Sequence, residues 1–295
     1  MNLLLIGQSL EDHILSNGKE EVKPGGIFYS VLGMQSIMDK DDKITLCTTV
    51  DKENIELFYP VYKDLDKQYF QDDPDLPKVF LNINGKEERE ECYSKVSKSL
   101  QFEIENPDRY DGILINMITG FDINIDQLEK LRSVYKGLIC FDVHTLARGI
   151  DKEGKRDFRT IPDFNSWAKN IDILQVNERE FFTLYKSNNE SEIVQRLFSG
   201  GIKILIITKA EKGAKIFYKI KGETAAEYRS AIKVSTKNKV GCGDVFGAVF
   251  FYSYISSLNA GKALKTATIA AGLAASYDKM ENYLELKEDV YTRSG

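Results

Sequence analysis

The chain has 295 residues, 42% of them hydrophobic, and a formal net charge of −5. That size and apolar share allow a sizeable core, in one large α/β domain or two smaller ones. The acidic balance, with lysines scattered rather than striped, argues against a general nucleic-acid binder.

The cysteines Cys47, Cys92, Cys140 and Cys242 lie far apart without a CxxC pair, which predicts a reduced protein without a zinc site. The two histidines, His13 and His144, are too few for a histidine triad or metal cage. Residues 1–7 lack the charged region and cleavage site of a signal peptide. The most apolar stretch, 245–255, is too short to span a bilayer. A cytoplasmic location is expected, with no membrane partner.

In chain order, residues 3–6 form a short aliphatic run ending at Gly7, which predicts a buried parallel strand and a turn. Asp12-His13-Ile14-Leu15 leads into a polar stretch. Pro24-Gly25-Gly26 is a turn signal, and 27–38 has helical character with Ile27, Val31, Met34 and Met38 on one stripe. Residues 44–50 predict a strand, and 53–67 a helix broken at Pro60. A loop at 72–77 is followed by a hairpin over 79–97 about Asn84-Gly85. Charged on one side, this hairpin looks like part of a small sheet standing off the main body as a lid.

From Gly112 the rhythm is α/β. Strands are expected at 112–117, 137–143, 171–176 and 203–208. Helices are expected at 125–135, 164–169, 178–186 and 191–198. The alternation predicts a mainly parallel sheet covered on both faces. A hairpin-like pair at 214–220 and 226–234 and helices at 244–257 and 260–277 close the domain.

In such sheets ligands bind beyond the carboxyl ends of the strands, where Asp142, Asn177 and Thr208 stand. Asn177 and Glu180 are spaced to face one point, and their oxygens suit magnesium and its waters. The same spacing equally suits a plain capping box. Gly241-Cys242-Gly243-Asp244 opens the apolar helix near the chain's end. A glycine turn at a helix start aims backbone N–H groups at one spot, with the helix dipole behind them, which suits an anion. An acid there repels a phosphate as a ligand. It makes sense as the acceptor of a proton from a nucleophile attacking a phosphoryl group. A helix N-cap in a glycine turn is the plainer reading of these four residues.

Taken together these features resemble the ribokinase (PfkB) family of carbohydrate and nucleoside kinases, in the family's order and over nearly the whole chain. Gly7 and Asp12 resemble the first strand and the substrate-binding acid. Pro24-Gly25-Gly26 resembles the first signature, with Ser30 where Asn is usual. The hairpin at 79–97 stands where the family has lid strands. Asn177-Glu178-Arg179-Glu180 matches its NxxE motif. Thr208 through Gly213 resembles the segment that meets ATP, lacking the first glycine of the usual TLGxxG. Asp142-Val143-His144 is similar to a DxN motif, with Arg148 displaced from the usual arginine. Gly241-Cys242-Gly243-Asp244 resembles the GAGD of the second signature.

The resemblance implies a single ribokinase-like domain over 1–295: a three-layer α/β sandwich with a mainly parallel sheet and a small β lid from about 12–24 and 79–97. It implies ATP-dependent phosphorylation of a hydroxyl on a sugar or sugar-like molecule. Asp244 would be the base, and Gly241, Cys242 and Gly243 the anion hole. Asp12, Gly25, Gly26 and Ser30 would hold the substrate. Thr208, Gly213 and Asn177 would meet the nucleotide, and Asn177 and Glu180 the Mg2+, through water. Asn238-Lys239-Val240 replaces a common Asp-Thr-Thr, which weighs against a monovalent cation. A homodimer through the lid follows by analogy. A nucleoside kinase and a non-catalytic sugar or nucleotide sensor stand as alternatives; a dehydrogenase lacks a G-x-G-x-x-G after the first strand. Ile27, Phe28 and Tyr29 are bulkier than the family's residues there: they line a more apolar pocket or face the core. Cys242 reads as a tolerated small residue, or as a thiol made reactive by the helix start.

Overall fold

The computed structural model describes residues 1–16, 18–53, 55–82, 90–95 and 98–294. Strand β1 (Asn2–Ile6) shows why an unbroken aliphatic run was needed. Leu3 and Leu5 join the core on one face of the sheet, Leu4 and Ile6 the core on the other. All four are fully buried, as in a strand covered on both sides.

The chain then leaves this sheet. β2 (Ser9–Ser16) pairs antiparallel with β3 (Lys19–Gly26). Pro24-Gly25-Gly26 therefore ends a strand instead of forming the expected turn. β3 is an edge strand, so the N–H that proline lacks is not needed for a ladder bond. Helix α1 (Phe28–Gln35) follows, then β4 (Lys43–Val50). The helix expected over 53–67 is reduced to α2 (Tyr59–Tyr62), with Pro60 in its first turn, where proline is tolerated. The rest of that span leads into β5 (Asp66–Asp72), an edge strand whose polar sequence DKQYFQD hid it.

β6 (Lys78–Asn82) and β7 (Glu90–Tyr93) complete a small sheet of order β3-β2-β6-β7. Its β2–β6 pair is parallel and the others antiparallel. The expected Asn84-Gly85 turn lies outside the described residues.

β8 (Gly112–Asn116), α3 (Ile125–Val134) and β9 (Leu138–Asp142) restore the α/β rhythm. A short pair the sequence did not announce, β10 (Arg148–Ile150) and β11 (Arg156–Phe158), interrupts it. Then come α4 (Phe164–Ala168), β12 (Ile173–Asn177), α5 (Glu178–Phe181), α6 (Glu190–Gly200), β13 (Ile204–Thr208), β14 (Ala214–Ile220) and β15 (Glu223–Arg229). Helices α7 (Cys242–Ser257), α8 (Ala260–Ser276) and the unexpected α9 (Leu286–Ser294) end the chain.

The large sheet has nine strands in the order β15-β14-β13-β12-β9-β8-β1-β4-β5. It is parallel except at β14 and β15. Helices α1, α7, α8 and α9 share the core on one face, and α3 to α6 the core on the other. The expected three layers, parallel sheet and small second sheet are thus present. The parallel pairings bring the ends of β8, β9, β12 and β13 to one edge. β2 and β3 lie between β1 and α1, so the small sheet is tethered at that edge. No helix among the described residues is long and apolar enough to cross a membrane.

Candidate active site

Gly241 caps α7 with φ +76°, a left-handed value that favours glycine. A Cβ there would also run into the Tyr29 ring. The cap makes no side-chain hydrogen bond to the first turn, and N–H groups at a helix start point toward one spot that suits an anion. Asp244 sits in this turn. Asn116, at the end of β8 and 1% exposed, donates its Nδ2–H to Asp244 Oδ1 at 2.6 Å and to Ser30 Oγ at 3.3 Å.

Gln175 approaches the turn from below. Its Nε2 donates to the Gly243 carbonyl at 3.0 Å and to Asp142 Oδ2 at 2.8 Å. Burial, then the nearby Glu180 and Asp244 carboxylates, hold Asp142 well above the usual carboxylate range.

Two cavities flank the turn. The first lies between the small sheet and the carboxyl edge of the large one. It is walled by Leu10, Asp12, Val79, Leu81 and Tyr93 from the small sheet. Tyr29, Ile118, His144 and Asp244 close it from the main body. Asp12 is 6% exposed. A Cβ on Gly25 would come within about 2.5 Å of its carboxylate, so a side chain at 25 would displace the acid. Gly26 lines the cavity with φ +69°. Ser30 is not among the lining residues; it is buried behind Asp244 and linked to it through Asn116.

The second cavity, of about 510 Å3, is walled by Asn177, Thr208, Gly213, Lys233, Lys239, Cys242 and Gly243. Ile232, Val234, Phe246, Ala271 and Gly272 add an apolar side. Of the residues expected from the sequence, the structure places Asp12, Gly26, Gly241 and Asp244 on the first cavity and Asn177, Thr208, Gly213, Cys242 and Gly243 on the second, while Gly25, Ser30 and Glu180 line neither.

Asn177 and Glu180 form the capping box foreseen as the plainer alternative. Asn177 Oδ1 accepts from the N–H groups of Arg179 and Glu180, both at 2.9 Å. Glu180 Oε2 accepts from the Asn177 N–H at 2.8 Å, and its Oε1 from Asn177 Nδ2 at 2.6 Å. The same Asn177 lines the second cavity, with Glu180 buried behind it. Among the described residues no cluster of three His, Cys, Asp or Glu side chains is placed to hold a metal. Oxygen donors suit Mg2+ retained through its water shell, and here Asn177 Oδ1 and both Glu180 oxygens already accept hydrogen bonds within the box. Burial raises the thiols of Cys47, to about 12, and of Cys140. Cys242 is half-buried, with its Sγ on the Asn238 carbonyl at 3.6 Å.

The sequence alone leaves Asn116, Gln175 and the cavity role of His144 unassigned. A polar residue ending or interrupting an apolar strand at the carboxyl edge was the available signal: Asn116 ends GILIN as Asp142 ends LICFD.

Residues 149–285 match the family described as pfkB family carbohydrate kinase. That span, a little under half of the chain, is similar to the PfkB family. The matched span carries the second cavity and the Gly241–Asp244 turn, while Asp12, Gly26 and Asn116 stand before it. Solved structures of ribokinase-family proteins share the fold. A ribokinase from Giardia lamblia has a TM-score of 0.77 at 14% identity, covering 99% of each chain. A putative ribokinase II from E. coli, in complex with ATP and Mg2+, has 0.74 at 16%, again over 99% of each. A pyrophosphate-dependent kinase of the ribokinase family, complexed with a pyrophosphate analogue and myo-inositol, has 0.75 at 18%, over 96% of this chain and 98% of its own. A search of curated protein sequences gave no match.

Proposed function

We propose that this chain is a PfkB-type, ATP-dependent kinase that transfers the γ-phosphoryl group to a hydroxyl of a sugar or sugar-like small molecule. One observation carries the reading. The turn at the start of α7 is a wall of both cavities: Val240, Gly241 and Asp244 face the first, Lys239, Cys242 and Gly243 the second. A hydroxyl in the first cavity and a phosphoryl group from the second would meet across that turn.

Asp244 accepts the proton of the acceptor hydroxyl as its oxygen bonds to the γ-phosphorus and the bond to the bridging oxygen breaks, releasing ADP. The N–H groups of Gly241, Cys242 and Gly243 stabilise charge on the transferring group. Such positioning and electrostatic stabilisation dominate phosphoryl transfer. Asn116 holds the Asp244 carboxylate toward the acceptor cavity, and Asp12 receives a second substrate hydroxyl. Mg2+, when bound, neutralises phosphate charge, and Asn177 and Glu180 would hold its waters. The apolar side of the second cavity supports a nucleotide over bare pyrophosphate, because an anion alone gains nothing from Ile232, Val234 and Phe246.

The test is a phosphorylation assay over sugars, cyclitols and nucleosides, with Mg2+ and either ATP or pyrophosphate. Phosphorylation of a sugar or cyclitol with ATP is expected. Asp244→Asn should lower kcat by about 10²–10⁴ while calorimetry still reads ATP binding. Near-normal turnover in that variant would remove Asp244 as the base. Turnover with pyrophosphate alone would overturn the donor.

A further inference from the structure

The structure separates the three bulky residues that follow Gly26. Ile27 and Phe28 turn inward, 0% and 1% exposed, with Phe28 against the rings of Phe58 and Tyr62. Tyr29 instead lines the first cavity, its ring over Gly241. That cavity offers only about 40 Å3, against about 300–1,000 Å3 for ordinary small-molecule sites.

An acceptor must enlarge the cavity, and the walls differ in how they can yield. Leu10, Asp12, Val79, Leu81 and Tyr93 belong to the small sheet, which shares no strand pairing with the large one. Tyr29 belongs to α1, which is seated on α7 almost backbone to backbone. A Cβ on Gly33 would stand 3.0 Å from Val245 Cα. Tyr29 also meets Phe28 edge-on, with ring centroids 5.6 Å apart. A shift of the small sheet would therefore leave Tyr29 in place beside Asp244.

We propose that Tyr29 sets the acceptor's size: it admits a compact polyol of pentose, hexose or cyclitol dimensions and excludes nucleosides and other acceptors carrying a second ring. The proposal rests on the kinase reading for the acceptor's location. The chemistry of the walls agrees. Asp12, His144 and Asp244 can take hydroxyls, and the Tyr29 ring and Leu10 offer apolar faces to C–H groups. A second ring would need the volume that the Tyr29 ring fills.

The test compares wild type, Tyr29→Phe and Tyr29→Ala in kcat/KM for compact polyols and for nucleosides, with ATP and Mg2+. It is paired with calorimetric titration of both acceptor classes into Asp244→Asn and into Asp244→Asn carrying Tyr29→Ala. Wild type and Tyr29→Phe should favour polyols. Tyr29→Ala should raise the nucleoside-to-polyol ratio by about tenfold or more, the scale of steric discrimination by a pocket. Equal use of nucleosides by wild type, or an unchanged ratio in Tyr29→Ala, would overturn the proposal. If neither class is phosphorylated, the kinase reading fails and calorimetry decides this one. Polyol binding without nucleoside binding, relaxed by Tyr29→Ala, upholds it; any other pattern overturns it. Should Tyr29→Ala fail to fold by thermal melting, Tyr29→Val is judged by the same ratio.

Discussion

Asn116 is the residue on which the proposed base depends. A carboxylate can rotate away from its substrate, and the 2.6 Å bond from Asn116 Nδ2 fixes one oxygen of Asp244. Asn116→Ala should therefore lower kcat by about 100-fold, the cost of misplacing a reacting group by about 1 Å, with a much smaller change in KM. Steady-state kinetics check this. A rise in KM at unchanged kcat would mean that Asn116 serves binding only. Sequence alone could not single out Asn116, because its bond to Asp244 crosses 128 positions. Asp244 was legible, because its glycine turn and its helix are local.

At the level of elements, the turn into α7 depends on a glycine for two separate reasons. Gly241 has φ +76°, and the Tyr29 ring of α1 lies where a Cβ would go. Gly241→Ala should cost about 1–3 kcal/mol of stability from backbone strain alone. It should also remove activity, because relieving the clash moves either the turn or Tyr29. Chemical denaturation and the kinase assay measure the two effects. A variant as stable and active as wild type would show that the turn needs no glycine.

Helix α7 itself was plain in the sequence, since an apolar run with no polar stripe predicts a helix buried on all sides. β5 and β3 were not. Edge strands carry polar residues because one side meets water, so periodicity gives them little signal. The Asn177–Glu180 capping box shows the reverse case: the local geometry was legible, and only the second cavity beside it gives Asn177 a further role.

Across the whole molecule, the buried carboxylate of Asp142 links the site to stability. Its pKa is raised well above the ordinary 3.8, first by burial and then by Glu180 and Asp244. Between 3.8 and that raised value the folded protein holds a proton that the unfolded chain has lost. This group therefore makes stability fall as pH rises through the window. Asp142→Asn removes that contribution. Its melting temperature should fall less steeply than wild type's from about pH 4 upward, which parallel melts across pH check. Identical slopes would mean that Asp142 ionises as an ordinary carboxylate.

By itself the sequence determined the α/β rhythm, the parallel sheet, and the local chemistry of the Gly241–Asp244 turn and the Asn177 cap. These follow from short-range rules: strand and helix periods, glycine at a helix start, an amide three residues before a carboxylate. Tertiary structure alone decided which of Ile27, Phe28 and Tyr29 faces the cavity, that Asn116 and Gln175 support the turn, and that one turn divides two cavities. Those outcomes depend on how α1, α7 and the small sheet pack. Packing brings residues over a hundred positions apart within hydrogen-bond reach, and no local pattern records that.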